Sequence, residues 1–142
     1  LLSPAGLCSK QTKVIWPLDQ LGVCFLKQSF IRKSLCRQSF ANPNKSVGPE
    51  EEQIASIHLN VPGWHMSLSS FARNGGVANC GKPLPPQPVE VLWGAQDRII
   101  SSKERKRSMS LLSKNLVEIE NCGHLPHLDR PMTVANNCQK FI

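Results

Sequence analysis

Asp97 and His124 have the residue types and the spacing of an acid and base pair for nucleophilic catalysis. Asp97 follows the apolar run 89–93, and His124 follows the apolar run 116–119. A carboxylate beside an imidazole fixes which ring nitrogen carries the proton, and it stabilises the imidazolium formed when the ring deprotonates a nucleophile. From the residues alone, a loop aspartate serving as a helix cap and a loop histidine with a structural role remain open alternatives.

The segment around Asp97 predicts a strand followed by a helix. Residues 89–93 are mostly β-branched and apolar, as expected for a strand covered on both faces, and Gly94 ends the run. Ser101 and Glu104 form an S-x-x-E capping box. They predict a helix that ends near residues 114–115.

The segment around His124 predicts a second strand and a closing helix. Residues 116–119 give the strand, and Pro131 opens the helix. The predicted apolar face of that helix consists of positions 131, 134, 135, 138, 141 and 142. Strands and helices that alternate with short links predict parallel strands of an α/β sheet, whose carboxyl ends would place Asp97 beside His124.

The part of the chain before the strands predicts helices. Three apolar stripes recur at helical spacing. They consist of Val23, Leu26, Phe30, Ile31 and Leu35, then of Ile54, Ile57 and Val61, and finally of Trp64, Leu68, Phe71 and Ala72. Pro49 predicts the start of the second helix, and residues 74–76 (Asn-Gly-Gly) predict the end of the third. The proline-rich segment 82–88 separates this helical region from the strands.

The two loops resemble those of the α/β-hydrolase family. VLWGAQDRII at 91–100 is similar to the family's strand, turn and acid segment, and NCGHLPHLDRP at 121–131 is similar to its histidine loop. Their order and spacing agree with the family, so the resemblance covers about residues 88–142. It implies the carboxyl-terminal part of an α/β-hydrolase parallel sheet, with Asp97 as the triad acid and His124 as the base.

A weaker resemblance extends over the helical region. LLSPAGL at 1–7 looks like the end of the core strand that precedes the family's cap insertion, and FANP at 40–43 looks like a cap sequence. The implied division is a core strand end and cap entry at 1–9, a helical cap or lid at 10–82, and the carboxyl-terminal core at 83–142.

The family's nucleophile is missing from these 142 residues, because no G-x-S-x-G motif occurs. The segment 6–10 (GLCSK) is the nearest match, but it lacks the second glycine, so neither Cys8 nor Ser9 is nominated. The nucleophile and the oxyanion hole are expected upstream of Leu1. We therefore expect a fragment that is inactive alone.

Other acidic and histidine side chains receive structural interpretations. Asp19 is a rival acid, but it lies among cap-like residues, and Asp129 is expected to cap the last helix. His127 shares the loop of His124 without matching the family's catalytic position. His58 and His65 lie beside apolar helix stripes and are expected to be structural.

Composition limits the function classes. The net charge is +7, but the basic run 103–107 lies in a predicted surface helix without aromatic residues for base stacking, so we do not predict nucleic-acid binding. No apolar run is long enough to span a bilayer. The six cysteines are scattered without metal-ligand spacing, so we expect no metal and mostly buried, reduced thiols, which weakly favours a soluble intracellular protein over a secreted disulfide-linked one.

The substrate pocket is predicted only by position. Ile99 and Leu125 flank the proposed acid and base, and Trp64 would line the pocket if the cap folds over the site, although its spacing also fits a core residue. The resemblance implies an ester or lipid-like substrate, cleaved through an acyl-enzyme without metal or organic cofactor. The alternative is an inactive truncated product that acts as a binding or regulatory module.

Overall fold

The computed structural model describes residues 1–8, 10–77, 86–112 and 116–140. Several sequence predictions lie outside these residues. They are Ser9, Cys80, the first part of the proline-rich segment, the end of the helix near 114–115, and positions 141 and 142 of the closing helix.

Helices occupy the described part of residues 10–77. They are α1 (Leu18–Leu26), α2 (Ser29–Gln38), α3 (Pro43–Ser46), α4 (Pro49–Ile54), a 3₁₀ helix (Ile57–Asn60) and α5 (Trp64–Arg73). The predicted helix start at Pro49 is confirmed. Helix α5 ends at Arg73, directly before the predicted stop at 74–76, and both Gly75 and Gly76 adopt positive φ. None of the described helices is long and apolar enough to cross a bilayer.

The first apolar stripe was expected to form one helix, and this prediction is wrong. The chain breaks at Gln28, whose backbone is extended, so the stripe divides between α1 and α2. Arg32 of α2 donates to the carbonyls of Leu26 and Lys27, which are free acceptors at the end of α1. Phe30, expected to be buried, is exposed.

The prediction that the second apolar stripe is buried is also wrong. Ile54, Ile57 and Val61 are exposed rather than buried. The physical reason is that α4 ends at Ile54, where Ser56 donates to the Glu52 carbonyl, and the chain continues as a 3₁₀ helix. The helical periodicity that would have aligned the three side chains is therefore interrupted.

The strand region contains β1 (Val91–Gly94), α6 (Ser102–Leu112), β2 (Leu116–Ile119), α7 (Pro126–Asp129) and α8 (Pro131–Gln139). The two strands pair in parallel, as predicted, with Val91 opposite Leu116 and Gly94 opposite Ile119. On the other side of β1, Leu2 forms a parallel bridge with Leu92.

The core covers both faces of β1. Val91 and Trp93 pack with Ile100 on one face, whereas Leu92 packs with Ile119 and Cys122 on the other. This alternation follows from the two-residue period of a strand. It explains why every residue of β1 is buried.

Two helix predictions in this region are partly wrong. Ser101 accepts the Glu104 N–H as a cap should, but the Glu104 carboxylate accepts the N–H of Gly6 instead of completing the capping box. In α8, Val134 packs against the core, whereas Ala135 and Cys138 of the predicted apolar face are exposed. The helix is short and contacts the sheet mainly through one side chain.

Candidate active site

The turns after β1 and β2 are joined by backbone and side-chain hydrogen bonds. The N–H of Ala95 donates to Ile119 (2.9 Å), and the N–H of Gln96 donates to Cys122 (2.9 Å). In return, the Gln96 side-chain oxygen accepts the N–H of Cys122 (3.0 Å). These bonds fix the turn that carries Asp97 against the turn that leads to His124.

Asp97 and His124 meet at the carboxyl ends of the two strands. The distance from Asp97 Oδ2 to His124 Nδ1 is 3.0 Å. The Asp97 side chain is 0% exposed, and the His124 side chain is 21% exposed. An ionised carboxylate only accepts hydrogen bonds, so the neutral ring carries its proton on Nδ1 and leaves Nε2 as an unprotonated acceptor.

The Asp97 carboxylate receives further donors from its own turn. Oδ1 accepts the N–H groups of Ile99 (2.9 Å) and Ile100 (3.1 Å), and Oδ2 also accepts the indole N–H of Trp93 (3.0 Å). Burial by itself raises the pKa of Asp97, but the hydrogen bonds from His124 and from the two backbone N–H groups outweigh it and lower the pKa below its usual value. The group therefore stays ionised beside the imidazole.

Trp93 and Arg105 hold the turn that carries Asp97 through hydrogen bonds. Trp93 is fully buried, and the Arg105 guanidinium lies 5.8 Å from the centre of its ring. Arg105 also donates to the carbonyls of Gly94 and Ala95 and pairs with Glu118 at 2.7 Å. These contacts were not predicted from the sequence, although a buried indole N–H generally needs an acceptor and Asp97 is four residues after Trp93.

The histidine loop is tied to the helical region. The N–H of His124 donates to the Ser39 carbonyl (2.7 Å). Asp129 Oδ2 accepts the N–H groups of both Ala41 and Gly123 (2.8 Å each). Asp129 was expected to cap α8. It instead joins the two regions, because its carboxylate satisfies backbone donors that neither region pairs internally.

Two glycines permit this close backbone packing. A Cβ on Gly94 would lie 1.9 Å from the Gly123 carbonyl oxygen, and a Cβ on Gly123 would lie 2.3 Å from the Ser39 carbonyl oxygen. Both contacts are far shorter than van der Waals separation. Any side chain at either position would therefore push the acid loop, the histidine loop and the helical region apart.

A cavity of about 520 Å³ lies between the helical region and the histidine loop. Its walls are mostly apolar, with polar groups from Arg32, Ser39, Glu51 and His58. Trp64 and Leu125, two of the predicted pocket residues, line this cavity. Ile99, the third, does not line it, and its side chain is exposed while its backbone N–H binds Asp97.

The rival side chains lie elsewhere. Asp19 is buried in α1 and pairs with Arg73 of α5 at 3.5 Å. His127 is exposed on α7, His65 is exposed on α5, and the His58 ring packs against Trp64 with centroids 5.1 Å apart. None of these residues forms a described contact with the Asp97 and His124 pair.

The described cysteines are free thiols. Cys122 is fully buried behind the histidine loop, and burial, with a smaller effect of the Asp129 charge, raises its pKa to about 11. A thiol with that pKa is protonated at neutral pH and is a poor nucleophile. Among the described residues, no group of three or more His, Cys, Asp or Glu side chains could hold a metal ion.

Comparison with known proteins finds one curated relative. No protein-family model matches the chain. An α/β-hydrolase domain-containing protein of Arabidopsis thaliana, VTE7, is 26% identical over 123 residues, which are 84% of this chain and 37% of that protein.

Two solved structures are similar over nearly the whole chain. The 2-hydroxy-6-oxo-6-phenylhexa-2,4-dienoate hydrolase of Rhodococcus sp. strain RHA1 matches with a TM-score of 0.65 and 18% identity, over 98% of this chain and 52% of that one. A bacterial membrane phospholipase A matches with a TM-score of 0.65 and 20% identity, over 99% of this chain and 46% of that one.

The chain thus spans 37% of the curated relative and about half of the similar structures. The parallel strands and the loops at their carboxyl ends agree with the fold of these similar structures. The chain has part of an α/β-hydrolase fold and is similar in sequence to an α/β-hydrolase domain-containing protein.

Proposed function

We propose that the chain supplies the acid and the base of a Ser-His-Asp-type triad in an enzyme that cleaves an ester or lipid-like substrate. The observation that carries the proposal is the 3.0 Å contact between the buried Asp97 carboxylate and His124 Nδ1. The names of the similar structures, a phospholipase A and a dienoate hydrolase, support a hydrolytic reaction.

In the proposed reaction, His124 Nε2 accepts the proton of a serine hydroxyl while the serine oxygen bonds to the ester carbonyl carbon. Asp97 stabilises the resulting imidazolium. The same proton then passes to the departing alkoxide, which leaves an acyl-enzyme. Water, deprotonated by His124, releases the carboxylic acid and regenerates the serine.

The remaining parts of this mechanism are expected outside the 142 residues. The serine and the backbone N–H groups that would hold the oxyanion belong, in the proposal, to a segment upstream of Leu1. The reaction as proposed needs neither a metal ion nor an organic cofactor.

The cavity supports an apolar substrate group. It is lined by Leu35, Phe40, Ile54, Leu68 and Leu125, among others, and Leu125 is the residue after His124. Mostly apolar walls with a few polar groups are typical of small-molecule sites. We infer that the acyl chain or another apolar part of the substrate occupies this space, which would place the scissile bond near the imidazole.

The first test uses the longest natural polypeptide that contains this chain, assayed with a nitrophenyl butyrate ester. We expect His124→Gln to reduce kcat by about 10⁴-fold or more, and Asp97→Asn by about 10³- to 10⁴-fold. The control is His127→Gln in the same loop, which should retain activity because His127 is exposed and makes no contact with Asp97. Full activity in His124→Gln would refute the proposal.

The second test uses the 142-residue chain alone. Without a nucleophile or oxyanion donors, it should show no turnover that depends on His124. Turnover that His124→Gln abolishes would show that the chain contains its own nucleophile, and the proposed division of the site would then be wrong.

A catalytically inactive binding module is the second candidate function. It is favoured by the mostly apolar cavity of about 520 Å³ in this chain. This candidate predicts that the chain alone binds a fluorescent fatty acid without cleaving any ester, and that Asp97→Asn leaves the affinity unchanged. Loss of turnover without loss of binding, in the longest polypeptide, favours the enzyme instead.

A further inference from the structure

Helix α1 has one buried face and one exposed apolar face. Its inward face carries Asp19 and Val23, which are buried, and packs on α5. Leu18, Leu21 and Phe25 recur at positions three and four apart and therefore share a second face, at whose edge Leu18 also lines a smaller cavity beside α5. All three of these side chains are exposed.

The uncovered face continues into the segment before the helix. Ile15 and Trp16 directly precede α1 and are also exposed. We define the α1 outer patch as Ile15, Trp16, Leu18, Leu21 and Phe25, whose exposed fractions lie between 56% and 73%. Isolated exposed apolar residues are ordinary, but five within eleven consecutive positions indicate a binding surface.

The charge of the same region has one sign. Residues 1–49 contain seven of the seventeen basic side chains and one of the ten acidic ones, Asp19, which is buried and paired with Arg73. Lys10, Lys13 and Lys27 flank the α1 outer patch and are exposed. Most of the net charge of +7 therefore belongs to the region that carries the patch.

We propose that the α1 outer patch binds the surface of a bilayer that contains anionic phospholipids. Leucine and phenylalanine side chains on one helix face enter the boundary between headgroups and acyl chains, and tryptophan is preferred at that depth. The flanking lysines meet the anionic headgroups. This is adsorption to one leaflet, and it is independent of the proposed hydrolase activity.

Other occupants fit the patch less well. Nucleic acid would use the aromatic rings and the lysines but not the aliphatic Ile15, Leu18 and Leu21. A protein interface would account for the apolar side chains of the patch, but it does not require the three lysines that flank them. The combination of aliphatic, aromatic and basic side chains favours a lipid surface.

The test is co-sedimentation of the 142-residue chain with phosphatidylcholine vesicles, with and without phosphatidylserine. We expect binding to the phosphatidylserine vesicles that weakens as salt is added, and much less binding to phosphatidylcholine alone. Leu21→Glu should reduce the partition coefficient by about tenfold or more, because it removes apolar contact and adds a repelled charge.

Ile57→Glu is the matched control, because Ile57 is also an exposed apolar residue of the helical region but lies outside the patch. It should bind within about twofold of the unchanged chain. Far-UV circular dichroism of both variants checks that they remain folded, and Lys13→Glu should weaken binding to phosphatidylserine vesicles only.

Three results would overturn the proposal. They are no binding to either vesicle, equal loss of binding in Leu21→Glu and Ile57→Glu, and tight binding to a single-stranded oligonucleotide that vesicles do not compete for. If the chain does not bind vesicles and the patch instead binds another part of a longer polypeptide, the patch is a protein interface.

Discussion

The strand half of the chain, residues 86–140, and the helical half, residues 10–77, differ in how they bury apolar side chains. Every residue of β1 is buried, and core clusters cover both of its faces. In the helical half, many apolar residues at helical spacing are exposed, including Leu21, Phe30 and Ile54. The half with the closed core holds the acid and the histidine, whereas the other half supplies cavity walls and open apolar surface.

This difference agrees with the roles proposed for the two halves. A proton transfer needs donor and acceptor atoms held within a few tenths of an ångström, which requires residues locked by packing and hydrogen bonds. A surface that admits apolar ligands needs exposed or half-buried apolar groups. Substitutions in each half would separate these two roles.

The largest effect is expected for Trp93→Ala in the closed core. It removes a fully buried indole and the hydrogen bond to Asp97, so the free energy of unfolding should fall by about 3–5 kcal/mol. Trp64→Ala in the helical half removes a half-buried ring at a cavity wall and should cost clearly less. Urea denaturation of both variants measures the difference, and equal losses would contradict the comparison.

Gly123→Ala tests the junction of the two halves. The added methyl group would meet the Ser39 carbonyl at 2.3 Å, so we expect a loss of about 3 kcal/mol in the free energy of unfolding. Gly22→Ala is the control, since a methyl group there meets nothing within 4 Å and lies inside α1. It should stabilise the chain by about 0.5–1 kcal/mol.

Asp129→Ala removes the acceptor shared by Ala41 and Gly123. Two backbone N–H groups would lose their partner, which should lower the free energy of unfolding by about 1–3 kcal/mol. Hydrogen exchange should become faster at both amides, while amides within α1 stay unchanged. Asp129→Asn keeps one side-chain oxygen and should lose less, and equal losses in the two variants would show that only the charge matters.

The smallest effect concerns pH. The folded-state pKa of Asp97 is lower than its usual value near 3.9, so its ionised form stabilises the fold above that pH, and this contribution is lost as pH falls through the folded pKa. Asp97→Asn cannot lose it and should show a flatter decline in stability on acidification. Parallel curves for the two proteins would contradict the direction of the shift.

The strand half was largely predictable from sequence. An apolar β-branched run, a glycine and an acid at 91–97 gave β1 and its turn, and the match at 121–131 gave the histidine loop. These signals are local and follow from strand burial and turn chemistry. The parallel pairing of the strands also followed from their separation by one helix.

The other features of the structure depend on contacts between different segments of the chain, which no local pattern indicates. Asp129 accepts the N–H of Ala41, and at the break at Gln28 Arg32 donates to carbonyls at the end of α1. Helical periodicity predicts apolar stripes, but it does not show whether another element covers them. Ile54, Ile57 and Val61 were therefore predicted to be buried, although all three are exposed. Apolar spacing indicates a face, whereas burial depends on its neighbours.

The most direct test of the central claim is ¹⁵N NMR of the histidine rings in the 142-residue chain. The contact at 3.0 Å predicts that neutral His124 carries its proton on Nδ1 and that Asp97→Asn disturbs this tautomer, while the exposed His127 ring is unchanged. A His124 ring protonated on Nε2, or a ring unaffected by Asp97→Asn, would contradict the account.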